Sequence, residues 1–364
     1  MIALFFGTRP QVIKASVLRD CLATVGPVRA VDTGQHYDYA LHRVHFDQLG
    51  VHDPDASLGV GSGSHATQTG AILAACEAWL IEHRPRLAVV IGDTNSTLAC
   101  ALAAVKLGIP VAHVEAGLRA ANRYMAEEIN RRVVDTVAEL LFAPCERAAR
   151  TLSEERADGQ IETVGDVARD VLRRALPRTP PLEQVTGFNR AAPVGGFVYA
   201  TLHRAELVDS PSLLGPVIAG LGRAPLPCLL AAHPRTVAAL QRAGLTPGGA
   251  IRVIEPVGYL ESVALARDAA VVVTDSGGLQ REAYWLGVPC VTVRSETEWV
   301  ETIACGANRL VPPDQADGLP RAVEQAARAR GATWNRDAYG DGHAADRIAA
   351  ILANRLQDPS SSSR

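Results

Sequence analysis

Residues 87–97 read Leu-Ala-Val-Val-Ile-Gly-Asp-Thr-Asn-Ser-Thr, and this stretch indicates the fold class. The apolar run at 87–91 is typical of a short strand that is buried on both faces. Glycine and polar residues then predict a tight turn, and residues 97–107 have the pattern of an amphipathic helix. Another apolar run follows at 111–114. A strand, a helix and a second strand in this order predict a parallel α/β unit.

The same alternation extends in both directions along the chain. In the first half it predicts a helix at 127–139 and further strands at 2–6, 28–33, 140–143 and 161–164. The pattern stops after Asp170, and residues 176–196 are rich in proline, threonine and glycine, as in a linker. In the second half it predicts strands at 197–202, 228–232, 251–254, 270–274 and 290–293. The fold class is therefore predicted as α/β, with two doubly wound Rossmann-type domains that face a cleft.

We expect the first Rossmann-like domain at residues 1–170 and the second at 171–342. A chain of 364 residues exceeds the size of one small core, which fits this division. A last helix at 343–356 could pack back against the first domain. The polar tail at 357–364 is expected to be disordered.

Charge and composition exclude several classes of protein. The chain has 36 lysine and arginine residues against 39 aspartate and glutamate residues, which argues against a nucleic-acid or anionic-membrane surface. Its seven cysteines form no CxxC pair and are expected to be buried, reduced thiols. The apolar residues at 2–6 are too few for a signal peptide, and no apolar run could span a bilayer. We therefore expect a cytoplasmic protein.

Three carboxylates are candidates for acid–base chemistry. Ligands of doubly wound sheets bind beyond the carboxyl ends of the strands, where Asp93 and Glu115 follow two predicted strands. Glu127 lies in the first turn of a predicted helix. A helix cap or a partner of the helix dipole would also explain Asp93 and Glu127, but not so easily Glu115. Three carboxylates at one rim would raise the pKa of at least one of them and supply proton donors and acceptors.

Two other groups of residues could bind an anion. Arg9 and Lys14 follow the first predicted strand, although a solvated helix start would explain them equally. In the second half, Ser276, Gly277 and Gly278 lie between a predicted strand and a helix. The glycines would let the backbone approach a phosphate, and free N–H groups and the helix dipole favour negative charge. A tight turn alone is the alternative explanation.

Other sites have little support. Glu282, one turn into the same helix, could hold a ribose diol. The chain has no GxxxxGK[ST] and no GxGxxG motif, so neither a P-loop nor a nicotinamide site is indicated. Its histidines lack the spacing of metal ligands. We expect no metal and no cofactor.

Ten short motifs, taken together, resemble the non-hydrolysing UDP-N-acetylglucosamine 2-epimerase family. They are GTRPQVIKAS (7–16), GQHYD (34–38), GDTNST (92–97), HVEAGLR (113–119), EEINRR (127–132), HRAE (203–206), HPRT (233–236), EPVGY (255–259), DSGGLQREA (275–283) and TEWVET (297–302). Each motif is weak alone, but ten in family order are highly specific.

The resemblance implies a fold, a reaction and partners. Family members have the GT-B architecture of two Rossmann domains. They invert C2 of a UDP-N-acetyl sugar without a redox cofactor, by eliminating UDP to a 2-acetamidoglucal and adding it back. The resemblance therefore implies a UDP-N-acetyl sugar and UDP as ligands, with UDP held by the second domain. Because family members are often dimers, it also implies a homodimer. The charge balance already argues against a nucleic-acid or membrane partner.

The resemblance also implies roles for single residues. Asp93, Glu115 and Glu127 match the acid–base carboxylates of the family. The residues that match its other ligands are Arg9, Lys14, Arg131 and His203 for substrate or phosphate, Ser276, Gly277 and Gly278 for the diphosphate, and Glu282 for the ribose. His203 is counted with the catalytic residues as well. The strand end at 253–259 would lie near uracil.

Departures from the family pattern leave the sugar open. TEWVET and the short spacing between Glu115 and Glu127 resemble a subgroup that includes enzymes acting on UDP-2,3-diacetamido-glucuronic acid. Ala126 stands where the family usually has proline, Leu207 where it has asparagine, and Arg281 where it has an acidic residue or lysine. Residues 67–69 lack the basic residue of the segment linked to allosteric substrate binding, so such activation is not expected.

Three alternatives stay open at this point. A GT-B glycosyltransferase would share the fold and the UDP site, but would not need three carboxylates. A hydrolysing 2-epimerase would release N-acetylmannosamine and UDP. A catalytically silent UDP-sugar sensor would need no carboxylates at all.

Overall fold

The computed structural model describes residues 1–35, 52–155, 159–185 and 194–357. The chain divides into two compact units. The first unit contains Met1–Arg173 and the segment from Asp337 on, and the second contains Arg174–Arg336. Residues 36–38 of the GQHYD motif, residues 186–193 of the predicted linker and the predicted tail from residue 358 lie outside the described residues.

The first unit is built on a parallel sheet of seven described strands. They are β1 (Ile2–Phe6), β2 (Val28–Asp32), β3 (Ala56–Ser57), β4 (Leu87–Ile91), β5 (Val111–Val114), β6 (Leu140–Ala143) and β7 (Gln160–Thr163). Its helices up to residue 175 are α1 (Arg9–Leu22), α2 (His65–His83), α3 (Asn95–Lys106), α4 (Ala126–Val137), α5 (Glu146–Glu155) and α6 (Val167–Ala175). The strand order β3-β2-β1-β4-β5-β6-β7 reverses direction beside β1, as in doubly wound folds.

The second unit repeats this plan with six described parallel strands. They are β8 (Val198–Thr201), β9 (Cys228–Ala231), β10 (Ile251–Ile254), β11 (Val271–Thr274), β12 (Cys290–Thr292) and β13 (Asn308–Leu310), in the order β10-β9-β8-β11-β12-β13. The helices are α7 (Ala205–Val208), α8 (Pro211–Gly222), α9 (Pro234–Arg242), α10 (Tyr259–Asp268), α11 (Gly277–Leu286), α12 (Val300–Ala304) and α13 (Leu319–Arg328). Short 3-10 helices lie at Leu176–Arg178, Leu182–Gln184 and Pro313–Gly318.

The last helix, α14 (Ala344–Gln357), belongs to the first unit and packs against α1. Its start is fixed by Asp170, whose carboxylate accepts the N–H groups of Ala344 at 3.1 Å and Ala345 at 2.9 Å. These two bonds satisfy donors that have no partner inside the helix. The chain thus returns to the unit in which it began.

Burial on both faces explains the apolar strands. Along β8, Val198 and Ala200 pack into one cluster of buried residues, whereas Tyr199 packs into another on the opposite face. Helices cover both faces of a parallel sheet, so its strands lack the alternation of apolar and polar residues. Among the described residues, no helix is long and apolar enough to cross a membrane.

The predicted strands at 2–6, 87–91, 111–114, 140–143 and 251–254 match the structure residue for residue. The other six predicted strands differ from it by one residue at one or both ends, and the three predicted helices correspond to α3, α4 and α14 within two residues. The sequence prediction missed β3 and β13. These edge strands have two and three residues, too few for a recognisable apolar run.

Candidate active site

Glu115, directly after β5, has an unusual backbone. Its φ is 70°, in the left-handed region that residues with a Cβ rarely adopt. The neighbouring backbone is fixed by two hydrogen bonds: Ala116 N–H donates to Phe142 O at 3.1 Å, and Gly92 N–H donates to Val114 O at 2.9 Å. Strained backbone of this kind is concentrated at functional sites, where the surrounding structure holds it in place.

The Glu115 carboxylate is paired with a cation from the first helix. Lys14 Nζ donates to Glu115 Oε1 at 2.6 Å, and the two side chains are only 10% and 9% exposed. An ammonium group at this distance stabilises the charged form of a carboxylate. Gln11 fixes the start of α1, because its Nε2 donates to Ile91 O at 2.6 Å and its Oε1 accepts Gly7 N–H at 2.9 Å. The helix that carries Lys14 is therefore anchored at the end of β4.

Asp93 is held by the fourth helix. The Arg131 guanidinium forms an ion pair with the Asp93 carboxylate, and its Nη1 donates to Glu128 Oε2 at 2.9 Å. Burial alone would lower the pKa of Arg131, but the charges and hydrogen bonds of Asp93 and Glu128 raise it above its usual value. Asn130 Nδ2 donates to Asp93 O at 2.9 Å. Both the backbone and the side chain of Asp93 are thus fixed to α4.

Glu127 lies on the same face of α4, three and four residues before Asn130 and Arg131. Its side chain is exposed, and within the described ranges its carboxylate has no hydrogen-bond or ion-pair partner. The Glu115 carboxylate lies beside the turn that carries Asp93, because a Cβ added to Gly92 would lie 3.3 Å from Glu115 Oε2.

The structure thus brings Lys14, Glu115, Asp93 and Arg131 together in pairs at the ends of β4 and β5. Glu127 lies on the helix face that contacts Asp93, but makes no contact of its own with Asp93 or Glu115 among the described residues. Arg9 is exposed at the first residue of α1.

Two buried acids in this unit were missed by the sequence analysis. Glu128 is 0% exposed, and its carboxylate accepts hydrogen bonds from Arg131, from Arg132 Nε at 2.7 Å and from Ala120 N–H at 2.8 Å. Glu128 therefore fixes the loop before α4 and has a structural role, unlike the one predicted for Glu127 beside it. In the sequence the two glutamates are indistinguishable.

The second missed acid is Asp135, which pairs with the fully buried His113. His113 Nδ1 lies 2.7 Å from Asp135 Oδ1, and its Nε2 lies 2.7 Å from Gly92 O. Burial alone would raise the pKa of Asp135, but His113 and Arg119 lower it below its usual value. Asp135 Oδ2 also accepts Gly117 N–H at 3.1 Å, so one carboxylate fixes the turns after β4 and β5.

In the second unit, the turn from β11 into α11 has the geometry of an anion site. Ser276 is the N-cap residue, and its hydroxyl accepts Leu279 N–H at 3.4 Å. Ser276 N–H donates to Thr274 Oγ1 at 3.0 Å. Among the described residues, the N–H groups of Gly277 and Gly278 have no acceptor. These two N–H groups, at the positive end of the helix dipole, suit a phosphate.

Three side chains with N–H donors surround Gly277. A Cβ added there would lie 3.4 Å from Trp299 Nε1, 3.9 Å from Gln280 Nε2 and 4.0 Å from Arg204 Nη2. None of these three residues is among the phosphate ligands predicted from the sequence. Each lies beside or within a quoted motif, but only the folded chain shows that they converge on one glycine.

Trp299 is itself held by a charged group, and the residue before it by an ion pair. The Arg281 guanidinium stacks on the Trp299 ring at 3.9 Å from its centroid, and Arg281 Nε donates to Gly277 O at 3.1 Å. The preceding residue, Glu298, makes a buried ion pair with Arg294 at 3.0 Å. Burial alone would raise the pKa of Glu298, but Arg294 lowers it to about 2. The segment that carries Trp299 is therefore fixed beside the Gly277–Gly278 turn.

His203 follows β8, the neighbour of β11 in the sheet. Its backbone N–H and that of Arg204 each donate to Asp275 Oδ2 at 2.8 Å, and its side chain is half-exposed. Glu282 is half-buried, on α11. In the predicted uracil region, Gly258 N–H donates to Glu261 Oε2 at 2.9 Å and α10 begins at Tyr259. No group of three or more histidine, cysteine, aspartate or glutamate residues in the described part of the chain could hold a metal ion.

Comparison with known proteins shows the family to which the chain belongs. Residues 26–353 match the family model described as UDP-N-acetylglucosamine 2-epimerase. The chain belongs to the non-hydrolysing UDP-N-acetylglucosamine 2-epimerase family. It is therefore an enzyme of the isomerase class, an epimerase. A UDP-2,3-diacetamido-2,3-dideoxy-D-glucuronate 2-epimerase from Pseudomonas aeruginosa is 42% identical to it, over 97% of this chain and 99% of the relative.

The epimerase is also similar to solved structures. One is Methanocaldococcus jannaschii UDP-GlcNAc 2-epimerase in complex with UDP-GlcNAc and UDP, with 36% identity, a TM-score of 0.84, and coverage of 97% of this chain and 99% of that one. Another is UDP-GlcNAc 2-epimerase from Neisseria meningitidis bound to UDP-GlcNAc, with 27% identity, a TM-score of 0.86 and the same coverage. The predicted α/β, GT-B-like fold of two Rossmann-type domains is thereby confirmed.

Proposed function

We propose that this epimerase inverts C2 of a UDP-N-acetylglucosamine-type sugar and releases the manno epimer still joined to UDP. The observation that carries the proposal is the pairing at the ends of β4 and β5, where Lys14 holds Glu115 and Arg131 holds Asp93. Carboxylates fixed by cations at strand ends suit proton transfer to and from carbon. Family membership favours epimerisation over glycosyl transfer and over a silent sensor.

The proton chemistry balances without a redox partner. One carboxylate removes the C2 proton while the C1–oxygen bond breaks, so UDP departs and a C1–C2 double bond forms. A proton is then delivered to the opposite face of C2, and the UDP oxygen adds back to C1. Asp93, Glu115 and Glu127 are the groups proposed to accept and return the proton. Because the C2 proton leaves one face and returns to the other, more than one carboxylate is needed.

The second unit supplies the site for the diphosphate. As the C1–oxygen bond breaks, negative charge grows on the departing UDP, and fixed N–H donors stabilise it. The N–H groups of Gly277 and Gly278 are proposed as its backbone ligands, with Arg204 and Trp299 beside them. His203 and Arg9 are proposed as further phosphate ligands, and Glu282 as the contact to the ribose.

Two sugars are candidates for the substrate. The relative that is 42% identical is named for a UDP-2,3-diacetamido-glucuronate, and the two similar structures for UDP-GlcNAc. Both sugars carry UDP at C1 and an acetamido group and a proton at C2, on which the proposed chemistry depends. They differ at C3 and at the group on C5. A homodimer is proposed from the family resemblance alone, and a cytoplasmic location from the sequence alone.

Turnover in deuterated water, followed by NMR, tests the proposal with both sugars. We expect solvent deuterium at C2 together with conversion to the manno epimer, which stays attached to UDP. A free manno sugar as the main product, which is N-acetylmannosamine in the case of UDP-GlcNAc, would instead establish hydrolysis. Transfer to an acceptor sugar without exchange at C2 would establish a glycosyltransferase. Failure of both sugars to exchange would refute the proposed substrate class.

A further inference from the structure

We propose that Asp275 is a positioning residue that orients His203 toward the diphosphate and keeps its Nδ1 protonated. This inference rests on the proposed function, in which UDP binds at Gly277 and Gly278. Asp275 lies between the end of β11 and Ser276, directly before those glycines. A buried carboxylate is unexpected at this position, because its negative charge would repel a phosphate at the neighbouring glycines.

One oxygen of Asp275 has an evident structural use. Asp275 is 0% exposed, and its Oδ2 accepts the N–H groups of His203 and Arg204, both at 2.8 Å. These bonds tie the turn after β8 to the turn after β11. The same two strands are joined just before, where the hydroxyl groups of Thr201 and Thr274 lie 2.7 Å apart.

The other oxygen has no such use. Asp275 Oδ1 is buried and has no hydrogen bond in the part of the chain that the structure describes. It lies 3.3 Å from Nδ1 of His203, close enough for an ion pair but without the alignment of a hydrogen bond. A buried, charged oxygen without a hydrogen bond is costly, so a partner that can turn toward it is strongly favoured. A small rotation of the half-exposed imidazole would align an Nδ1–H donor with Oδ1.

This orientation determines what His203 can do. With Nδ1–H committed to Asp275, the ring presents Nε2 to the ligand. A phosphate oxygen at Nε2 requires a donor there too, so the ring between the two anions is an imidazolium. Hydrogen bonds between charged groups are shorter and about twice as strong as neutral ones. Asp275 therefore adds a fixed positive charge to the ligands of the departing diphosphate, without touching UDP itself.

Asp275→Asn separates this function from the structural one. The amide oxygen of asparagine can still accept both backbone N–H groups, so the tie between the two turns is kept. Its NH2 group would then face Nδ1 and donate to it. The proton of His203 would move to Nε2, and the ring would bind phosphate as a neutral donor.

A double-mutant cycle with His203→Gln gives the decisive measurement. We expect Asp275→Asn to lower kcat about tenfold, the usual effect of a hydrogen bond between charged groups. In the His203→Gln background the same substitution should lower kcat less than about twofold, because its effect passes through the imidazole. Equal losses in both backgrounds would show a merely structural role and overturn the proposal. No loss in either background would overturn it as well.

Nitrogen-15 NMR of the wild-type enzyme provides a test that does not depend on folding of the variants. The His203 signals, assigned by their absence in His203→Gln or by selective labelling, should show both ring nitrogens protonated when UDP is bound. An unprotonated Nδ1 in that complex would refute the inference.

The matched control for Asp275→Asn is Asp346→Asn, since Asp346 contacts Nδ1 of His343 at 3.0 Å on the surface of the first unit. It should leave turnover unchanged.

These outcomes are independent of the test of the proposed function. If wild-type enzyme exchanges the C2 proton but the cycle shows no coupling, the role of Asp275 is wrong and the function stands. If wild-type enzyme neither binds UDP nor exchanges the C2 proton with either sugar, the proposed function itself fails.

Discussion

Lys14 Nζ lies 2.6 Å from Glu115 Oε1, and this pair joins the first helix of the chain to the turn after β5. Both side chains are almost completely buried. Burying two charges is costly, and a hydrophobic pair of similar volume is often at least as stable. The pair is therefore poorly explained by stability. It is well explained by a requirement for a charged carboxylate at this point of the fold.

Removing the carboxylates one at a time tests the proposed chemistry. Asp93→Asn, Glu115→Gln and Glu127→Gln should each lower kcat on the order of 10²–10⁴, the usual size of general acid–base assistance. Calorimetry should show nearly unchanged affinity for UDP, because most of the proposed diphosphate ligands lie in the second unit and none of them is one of these three carboxylates. The control is Glu82→Gln, which changes an exposed carboxylate near the end of α2. Near-native turnover in all three variants would contradict the assignment.

Gly277→Ala tests the diphosphate site. A methyl group at this position would lie 3.4 Å from Trp299 Nε1, an ordinary van der Waals distance, so the variant should fold. It would nevertheless occupy the space between the N–H donors that a phosphate needs. UDP binding, measured by calorimetry, should become undetectable.

The matched control for Gly277→Ala is Gly318→Ala, at the end of the 3-10 helix Pro313–Gly318 in the same unit. Gly318 is exposed with a φ of -75°, and apart from its chain neighbours no described atom lies within 4 Å of a Cβ added there. The control should bind UDP normally. Native affinity in a folded Gly277→Ala protein would show that phosphate does not bind at this turn.

Trp299→Phe tests a single donor. Phenylalanine keeps an aromatic ring on which Arg281 can stack, but it lacks the indole N–H beside Gly277. If that N–H binds a charged phosphate oxygen, its loss should weaken UDP binding by about tenfold or more. Thermal unfolding should be little changed, which separates loss of the donor from loss of packing. Unchanged UDP affinity would remove Trp299 from the site.

The fold was predictable because its signal is local. Runs such as Leu87–Ile91 and Val111–Val114 are apolar throughout, since helices cover both faces of the sheet. Strand β3 (Ala56–Ser57) could not be found in this way. It has two residues at the edge of the sheet, and pairing with β2 rather than its own composition makes it a strand.

The site was predictable only in part. Family motifs pointed to Asp93, Glu115 and the two glycines at the start of α11, which follow strands and were visible at the ends of apolar runs. Glu128 and Asp135 were not found, because only tertiary contacts distinguish a buried, paired acid from a solvated one on the same helix. The position of Trp299 beside Gly277 depends on how the segment after β12 folds back.

The buried Glu298–Arg294 pair predicts a dependence of stability on pH. The pKa of Glu298 is lowered to about 2, below its value in the unfolded chain, because Arg294 outweighs the effect of burial. The charged form is therefore favoured by folding. The pair should contribute on the order of 3 kcal/mol above the unfolded pKa, and this contribution should be lost as the pH falls toward the folded pKa.

Denaturant unfolding of wild-type enzyme and Glu298→Gln across this range measures the effect. The difference in free energy of unfolding between wild-type enzyme and Glu298→Gln should be largest at neutral pH. It should decrease as the pH is lowered from about 4.5 toward about 2. Ser295→Ala, three residues earlier in the chain, is the control and should show no such trend, since it changes an exposed side chain and removes no ionisable group. A difference that is constant with pH would contradict the proposed charge state of the pair.

The left-handed backbone of Glu115 allows stability and activity to be separated at one position. Its φ of 70° suits glycine, so Glu115→Gly should be more stable than Glu115→Ala by about 1 kcal/mol, although both lose the carboxylate and the contact with Lys14. Both variants should be inactive in the deuterium-exchange assay. Arg84 is the matched control, since it ends α2 with a φ of 45° and an exposed side chain. Arg84→Gly should exceed Arg84→Ala in stability by a similar amount, with turnover unchanged in both. Equal stability of the two Glu115 variants would show that the backbone there is not strained. The expected result would mean that a glutamate is kept, against backbone preference, at the one place where its carboxylate meets Lys14.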